Sequence, residues 1–443
     1  MSSNSAGDKG RGQRLYDKAR TLIPGGTQLL SKRPEMFLPQ QWPAYYSRAK
    51  GAEVWDLDGR RYLDTSHFGV GACVLGFADE DVDHAVLGAI QSGTMSTLNA
   101  PEEVELAELL VELHPWADMA RFARCGGEVM AIAVRIARAA TGRDKVAFCG
   151  YHGWQDWYLA ANLATDALGN HLLSGLEPAG VPRGLANTMF PFMYNDIAQF
   201  RRLVETHGHE LAAIVMEPCR AEGPAPGFLE EIRETATRLG AVLIFDEVTT
   251  GFRVLTGGIH RKFGVNPDMA AFAKGMGNGY AMAAVIGTRA VMEAAQSSFI
   301  SSTYWTERVG PVAAIATIRK HLAKNVPEHL IQVGRTVQAG WKRAAEQTGL
   351  TIHVDGIEPL SHFDIKCDHK MAVVTLFIQE MLDRGFLAST QLYASYAHQP
   401  AHLEKYLAAV TASFDVVARA LKEGSVEKLL RGPVKHSGFQ RLA

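Results

Sequence analysis

Apolar residues fall along this chain in two rhythms. Short runs at Leu211–Met216, Ala241–Phe245 and 281–287 (AMAAVIG), and Lys145–Phe148 beyond its leading lysine, are apolar at every position, as in strands covered on both faces of a sheet. Between them lie stretches with helical spacing. Val129, Ile132, Ala133, Ile136, Ala137 and Ala140 follow an i, i+3, i+4, i+7 pattern, Val104, Leu106, Ala107, Leu109, Leu110 and Leu113 give a broad apolar face over Pro101–His114, and Leu229–Leu239 predicts a further helix. Strand and helix alternate between about residues 120 and 290, which predicts an α/β fold with a mostly parallel central sheet and helices on its faces. Beyond Pro311 a helical pattern over 311–349 gives way to extended segments near 351–366, a helix over 370–384 and a last helix from His402 to Glu423, the makeup of a smaller C-terminal α+β domain. At the other end, Gln13–Leu22 is amphipathic, and Asp58-Gly59 between two extended runs (52–64) signals a hairpin. The expected organisation is a flexible tail (1–12), an N-terminal segment packing with the small domain (13–70), a large α/β domain (71–315) and the small domain (316–443).

Composition narrows the function. The chain has 443 residues, 47% of them apolar, and a formal net charge of −2, which fits a multi-domain globular protein. It lacks the basic block that a nucleic-acid partner calls for. Five scattered cysteines without CxxC spacing predict a reduced, cytoplasmic protein. No apolar run reaches the roughly 18 residues of a membrane span, and the polar first dozen residues do not look like a signal peptide.

Candidate chemistry gathers at predicted strand ends. Asp246 follows the run Ala241–Phe245, where open α/β sheets place their ligands. Lys274 stands between PDMAAFA and GMGNGY. A lone lysine in such a setting is usually a snorkelling surface residue, but one desolvated among apolar neighbours becomes a nucleophilic amine. An amine and an acid in this pairing suit pyridoxal 5′-phosphate (PLP), whose chemistry uses a lysine Schiff base and an acidic partner for the ring nitrogen. GMGNG fits neither the dinucleotide fingerprint, which needs a strand before it and a helix after, nor the P-loop, whose lysine follows its glycines. Gly126 and Gly127 open the helix, an arrangement suited equally to a phosphate site and to a plain flexible helix start. Tyr151 could stack on a flat ring. Glu217 and Glu222 follow another strand. His152 has no second ligand at metal spacing, and no metal site is expected. Lys32 and Arg33 read first as solvated loop charges.

Together these motifs resemble the class III, fold type I PLP-dependent aminotransferases, in particular the branch that contains glutamate-1-semialdehyde aminomutase. The matching stretches are IFDEVTTGFR (244–253), PDMAAFAKGMGNGY (267–280), GEVMAIAVRIARAATGRDK (127–145), YHG (151–153) and VWDLDGRRYLD (54–64). A narrower likeness, carried by TQLLSKRPEMFLP and SSTYWTE, is to aminotransferases of aminoglycoside antibiotic biosynthesis. The resemblance implies that Lys274 carries the cofactor as a Schiff base and shuttles the proton, and that Asp246 pairs with the pyridinium nitrogen. It implies that Tyr151 and Val248 flank the ring, that Gly126 and Gly127 hold the phosphate, and that Glu217 and Glu222 belong to the cofactor site. Thr303 would reach the phosphate in a partner subunit of a homodimer with shared sites. Two departures stand out: the family's Ser or Thr is Gly127 here, and its Gly-Asn-Pro after the threonine is replaced from Trp305 to Arg308. No arginine matches the family's carboxylate clamp. The resemblance therefore implies transfer of an amino group from an amino acid, glutamate or glutamine, through pyridoxamine 5′-phosphate to an oxo group on an amino sugar or aminocyclitol, with Lys32, Tyr304 and Trp305 as substrate-side candidates. Intramolecular amine transfer, as in the aminomutase, and PLP-dependent epimerisation share the same lysine and acid.

Overall fold

The computed structural model describes residues 9–164, 167–170, 175 and 177–438, so residues 1–8 of the expected tail lie outside the described residues. The chain divides into two compact units. One holds the described residues of Met1–Val70, Gly76–Ala78 and Ile331–Ala443, and the other holds those of Gly71–Leu75 and Asp79–Leu330.

In the first unit, β1 (Tyr46–Lys50), β2 (Glu53–Asp56) and β3 (Arg61–Thr65) follow one another antiparallel. The signalled hairpin joins β2 to β3. Asp56 closes its turn: Oδ1 accepts the backbone N–H of Asp58 and of Arg60, both at 2.9 Å, while Gly59 supplies a left-handed φ of 81°.

The second unit is built on a seven-stranded sheet: β4 (Met119–Ala123), β5 (Lys145–Cys149), β6 (Met189–Pro191), β7 (Leu211–Met216), β8 (Val242–Asp246), β9 (Met269–Phe272) and β10 (Ala283–Gly287), in the order β4-β10-β9-β8-β7-β5-β6. Period-2 alternation sends its side chains to two cores. Val215 and Ile244 pack under the helix Gly126–Thr141 with Val129, Ile132 and Ile136. Ile214, Met216, Leu243 and Phe245 pack under the helix Phe228–Leu239 with Leu229, Ile232 and Ala236. Both faces are thus covered, which is why β7 and residues Val242–Phe245 of β8 are apolar at every position. Pairings among β5, β6, β7, β8 and β9 are parallel, whereas β10 runs antiparallel to both β9 and β4. Because β10 is inverted, its link to β9 needs no crossover helix. The chain turns back through a 3-10 turn at Lys274–Gly277 and two left-handed residues, Asn278 (φ 45°) and Gly279 (φ 94°).

The helical pattern over 311–349 is two helices, Val309–Ala323 and Val326–Thr348. Asn325, at φ 47°, breaks them, and Pro327 falls in the first turn of the second helix, where a missing N–H costs nothing. In the first unit, β11 (Ile352–Asp355), β12 (Leu360–Ile365) and β14 (Gln391–Tyr393) form an antiparallel sheet, while β13 (Phe386–Ala388) pairs parallel with β3. The helices Lys370–Asp383 and Pro400–Glu423 complete it.

A buried polar network lies against the central sheet. Glu247, fully buried, accepts from Thr250 Oγ1 at 2.6 Å and from the backbone N–H of His260 at 2.9 Å. Trp116 Nε1 donates to His260 Nε2 at 2.9 Å, so the other ring nitrogen carries the proton it donates to Glu247 Oε1 at 2.8 Å. Burial alone would raise the Glu247 pKa; the bonds from His260 and Thr250 outweigh it and hold the pKa below the ordinary value. His114 accepts from the Gly258 N–H at 3.0 Å and donates to the Leu110 carbonyl at 2.8 Å. His321 accepts from Thr256 Oγ1 at 2.8 Å and donates to the Phe252 carbonyl at 3.1 Å. Burial lowers the pKa of each to about 4.

These two histidines fold as neutral rings, while in the unfolded chain they take up protons near pH 6.5. Their depressed folded pKa values mean that stability is complete above pH 6.5 and declines as the pH falls towards 4, by up to ~3 kcal/mol for each ring. We expect the urea midpoint to drop between pH 7 and pH 5, and His114→Gln to flatten that decline even if it lowers stability at neutral pH. An unaltered slope in the variant would contradict a neutral buried His114.

Candidate active site

Four adjacent strands deliver the candidate residues. In the order β9, β8, β7, β5, Lys274 lies two residues beyond Phe272, Asp246 ends β8, Glu217 follows Met216, and Tyr151 lies two residues beyond Cys149. These strands are parallel, so all four residues emerge at carboxyl ends spaced by roughly 4.8 Å per strand.

Lys274 is half-buried, and its Nζ donates to Thr249 Oγ1 at 2.9 Å. Burial lowers its pKa first and the nearby Arg253 lowers it further, while Asp246 and Glu217 act in the opposite direction. Arg253 is only 1% exposed, so its charge is poorly screened. It is held by the carbonyls of Gly71 and Thr249. Lys274 also has a left-handed φ of 47°, an unusual conformation for a residue with a long side chain and one that concentrates at functional sites.

Asp246 is buried, with Oδ1 accepting the Val248 N–H at 3.0 Å and Oδ2 facing His152 Nδ1 at 2.8 Å. The second ring nitrogen of His152 donates to the Cys149 carbonyl at 3.1 Å, and a further proton must lie on the contact with Asp246. His152 therefore fixes the orientation of the acid, a role the sequence alone did not suggest. Tyr151 is partly exposed and lies edge-on to Tyr158, with ring centroids 5.8 Å apart. Burial raises the Glu217 pKa, and Arg220, at 3.1 Å, opposes this. Glu217 packs against Gly150, where an added Cβ would come within 2.4 Å of Oε2.

Gly126 and Gly127 are the first two residues of their helix. Glu128 Oε2 reaches back to the N–H groups of Arg124 (2.9 Å) and Cys125 (3.1 Å), and the two glycines stand at the positive end of the helix dipole. A Cβ on Gly126 would meet Val248 Cγ1 at 2.9 Å, and one on Gly127 would meet the Gln155 amide at 2.3 Å. This cradle, the half-buried amine and the acid between them fit a phosphorylated, ring-bearing carbonyl cofactor.

The remaining candidates are less closely tied to this group. Glu222 is exposed, and its carbonyl accepts from the Arg220 N–H at 3.2 Å. Thr303, Tyr304 and Trp305 lie in the 3-10 turn Thr303–Thr306. Tyr304 is 70% exposed, whereas Trp305 packs partly against the core. Arg124, just before the glycine pair, donates to the Trp305 carbonyl at 3.1 Å and to that of Glu307. Glu307 in turn caps the helix Val309–Ala323, accepting the Val309 N–H at 2.5 Å. The divergent segment is therefore tethered to the helix start. Lys32 is exposed, belongs to the first unit, and exerts its charge on the buried Asp64 there.

Residues 38–396 match the family model for class-III aminotransferases. A 3-aminobutyryl-CoA aminotransferase of Cloacimonas acidaminovorans (strain Evry) is 32% identical over 81% of this chain and 84% of its own length. A 2'-deamino-2'-hydroxyneamine transaminase of Streptomyces kanamyceticus is 33% identical over 73% of this chain and 78% of its own. A glutamate-1-semialdehyde 2,1-aminomutase of Heliobacterium modesticaldum (strain ATCC 51547 / Ice1) is 31% identical over 92% and 97%. Among solved structures, a transaminase with PLP bound superposes with a TM-score of 0.84 at 25% identity, over 94% of this chain and all of its own. An omega-transaminase from Sphaerobacter thermophilus gives 0.81 at 28% identity, over 92% and 98%.

The charges around Lys274 generate a test of the site. In protein stripped of small molecules, trapping of Lys274 by a small aldehyde and a reductant, followed by peptide mapping, should titrate with a midpoint below 10.5. Arg253→Gln removes a neighbouring cation and should move that midpoint upward. A midpoint at or above the ordinary lysine value, or one that Arg253→Gln leaves in place, would refute this account of the amine.

Proposed function

This chain belongs to the class-III aminotransferases, and from that premise we propose that it uses PLP to move an amino group from an amino acid, glutamate or glutamine, to an oxo group on an amino sugar or aminocyclitol. The observation that carries the chemistry is the placement of Lys274 and Asp246 at the carboxyl ends of adjacent strands, with the amine made more nucleophilic by burial and Arg253. The substrate class rests on the likeness to the 2'-deamino-2'-hydroxyneamine transaminase and on the lack of a matched carboxylate-clamp arginine.

When bound, PLP supplies an electron sink for the carbon that bears the amine. Lys274 Nζ would hold the cofactor at its carbonyl carbon and, once displaced by the substrate amine, would carry the proton from the substrate carbon to that cofactor carbon. Thr249 Oγ1, 2.9 Å from that amine, orients it. Asp246 keeps a proton on the ring nitrogen, its carboxylate aligned by His152 and by the Val248 N–H. Tyr151 and Val248 would flank the ring, Gly126 and Gly127 would bind its phosphate, and Glu217 and Glu222 would belong to the cofactor site. Tyr304, Trp305 and Lys32 are assigned to the acceptor.

The working assembly in this proposal is a cytoplasmic homodimer, in which Thr303 reaches the cofactor of the second subunit. Phe299 and Tyr304, 88% and 70% exposed, support an apolar contact beside Thr303. No helix among the described residues is long and apolar enough to cross a membrane. A second reading, intramolecular amine transfer, is favoured by the aminomutase relatives, which align over nearly all of their length.

Donor dependence decides between the two readings. We expect glutamate or glutamine alone to convert the bound cofactor to its pyridoxamine form, and an oxo-sugar acceptor to restore it. Turnover of an amino substrate without any donor would replace transfer by a mutase or epimerase. Lys274→Ala should abolish covalent cofactor retention and reduce turnover by about 1,000-fold or more, since it removes the anchor together with a general base that alone contributes roughly 100- to 10,000-fold. Full activity in that variant would end the enzymatic assignment.

A further inference from the structure

Gly127 leaves a gap in the helix-start cradle, and the structure fills it with a side chain from another strand end. Gln155 extends across Gly127 so that Nε2 lies 2.3 Å from where a Cβ would stand, and Oε1 lies 2.7 Å from the same point. The two ends of the amide are distinguished by their surroundings: Oε1 accepts the Trp154 N–H at 3.2 Å, which leaves Nε2 with its donors beside the glycine. Gly153 confines the amide from the other side. At φ 111°, a Cβ there would come within 2.6 Å of Oε1 and 3.2 Å of the Gly127 Cα. Two glycines thus form a slot for one carboxamide at the start of the helix Gly126–Thr141.

We propose that Gln155 Nε2 donates a hydrogen bond to the cofactor's phosphate, taking the place of a side chain at position 127. A phosphate dianion accepts and does not donate, so an N–H₂ group complements it, and the bond is strengthened by the anion's charge. The loss of a hydroxyl at 127 and the presence of glutamine at 155 become a single adaptation. A larger residue at 127 would displace the amide, and an amide in the slot requires glycine at 127. This inference rests on the assignment of PLP to the site and concerns affinity for its phosphate alone.

The test is equilibrium binding of PLP and of pyridoxal, which lacks the phosphate, to protein freed of cofactor, followed by tryptophan fluorescence. Gln155→Ala should weaken PLP binding roughly 10- to 100-fold, the scale of one hydrogen bond to a charged group, and leave pyridoxal binding within about twofold. Gln155→Glu, of the same shape, should weaken PLP further by placing an anion beside the phosphate, again sparing pyridoxal. The double change Gly127→Ser with Gln155→Ala should recover most of the lost PLP affinity. Unchanged PLP affinity in Gln155→Ala, or equal losses for PLP and pyridoxal, would overturn the proposal. Wild-type protein that binds neither compound would instead overturn the cofactor assignment, and this inference with it.

Discussion

The tension between one amine and its surroundings governs this molecule. Lys274 is placed where burial and a solvent-shielded guanidinium disfavour its charge, while two carboxylates partly restore it. Arg253 can act this way only because backbone carbonyls at Gly71 and Thr249 hold it in place, and the carboxylates only because neighbouring strands end side by side. The central sheet is therefore an electrostatic frame as much as a hydrophobic one. Its close-packed apolar interior holds the strand ends in place, and the charges at those ends set the reactivity of the amine.

Much of this frame was legible in the sequence. Leu211–Met216 and the run ending at Asp246 are strands because an unbroken apolar run of that length satisfies both faces of a covered sheet, and the helix after the glycine pair repeats its apolar residues without interruption. The inversion of β10 was not legible, since AMAAVIG is equally apolar read in either direction and only the short return through Asn278 and Gly279 sets its sense. The split of the helical pattern at Asn325 escaped because the periodicity runs through it and Pro327 falls where a proline is tolerated. The contact of His152 with Asp246 joins residues on different strands, and no local spacing encodes it. The same holds for Gln155 over Gly127, which requires two strand ends to meet.

The segment proposed to face the acceptor is built differently from the strand ends. Reactive groups sit on strand ends that the core immobilises, whereas the segment from Thr303 to Arg308 is a surface turn whose sequence departs from the family pattern. Arg124 and Glu307 nevertheless give it a fixed shape, one through backbone carbonyls and the other by capping the following helix. A surface loop tethered to the scaffold at Trp305 and Glu307 can change its side chains without disturbing the strand ends.

The left-handed backbone at Lys274 also sets a limit on how far this protein can be stabilised. Glycine or asparagine would occupy that conformation with less strain, a difference of about 1–3 kcal/mol for most side chains. Neither carries an amine, so relief of the strain and retention of the nucleophile exclude one another at this position.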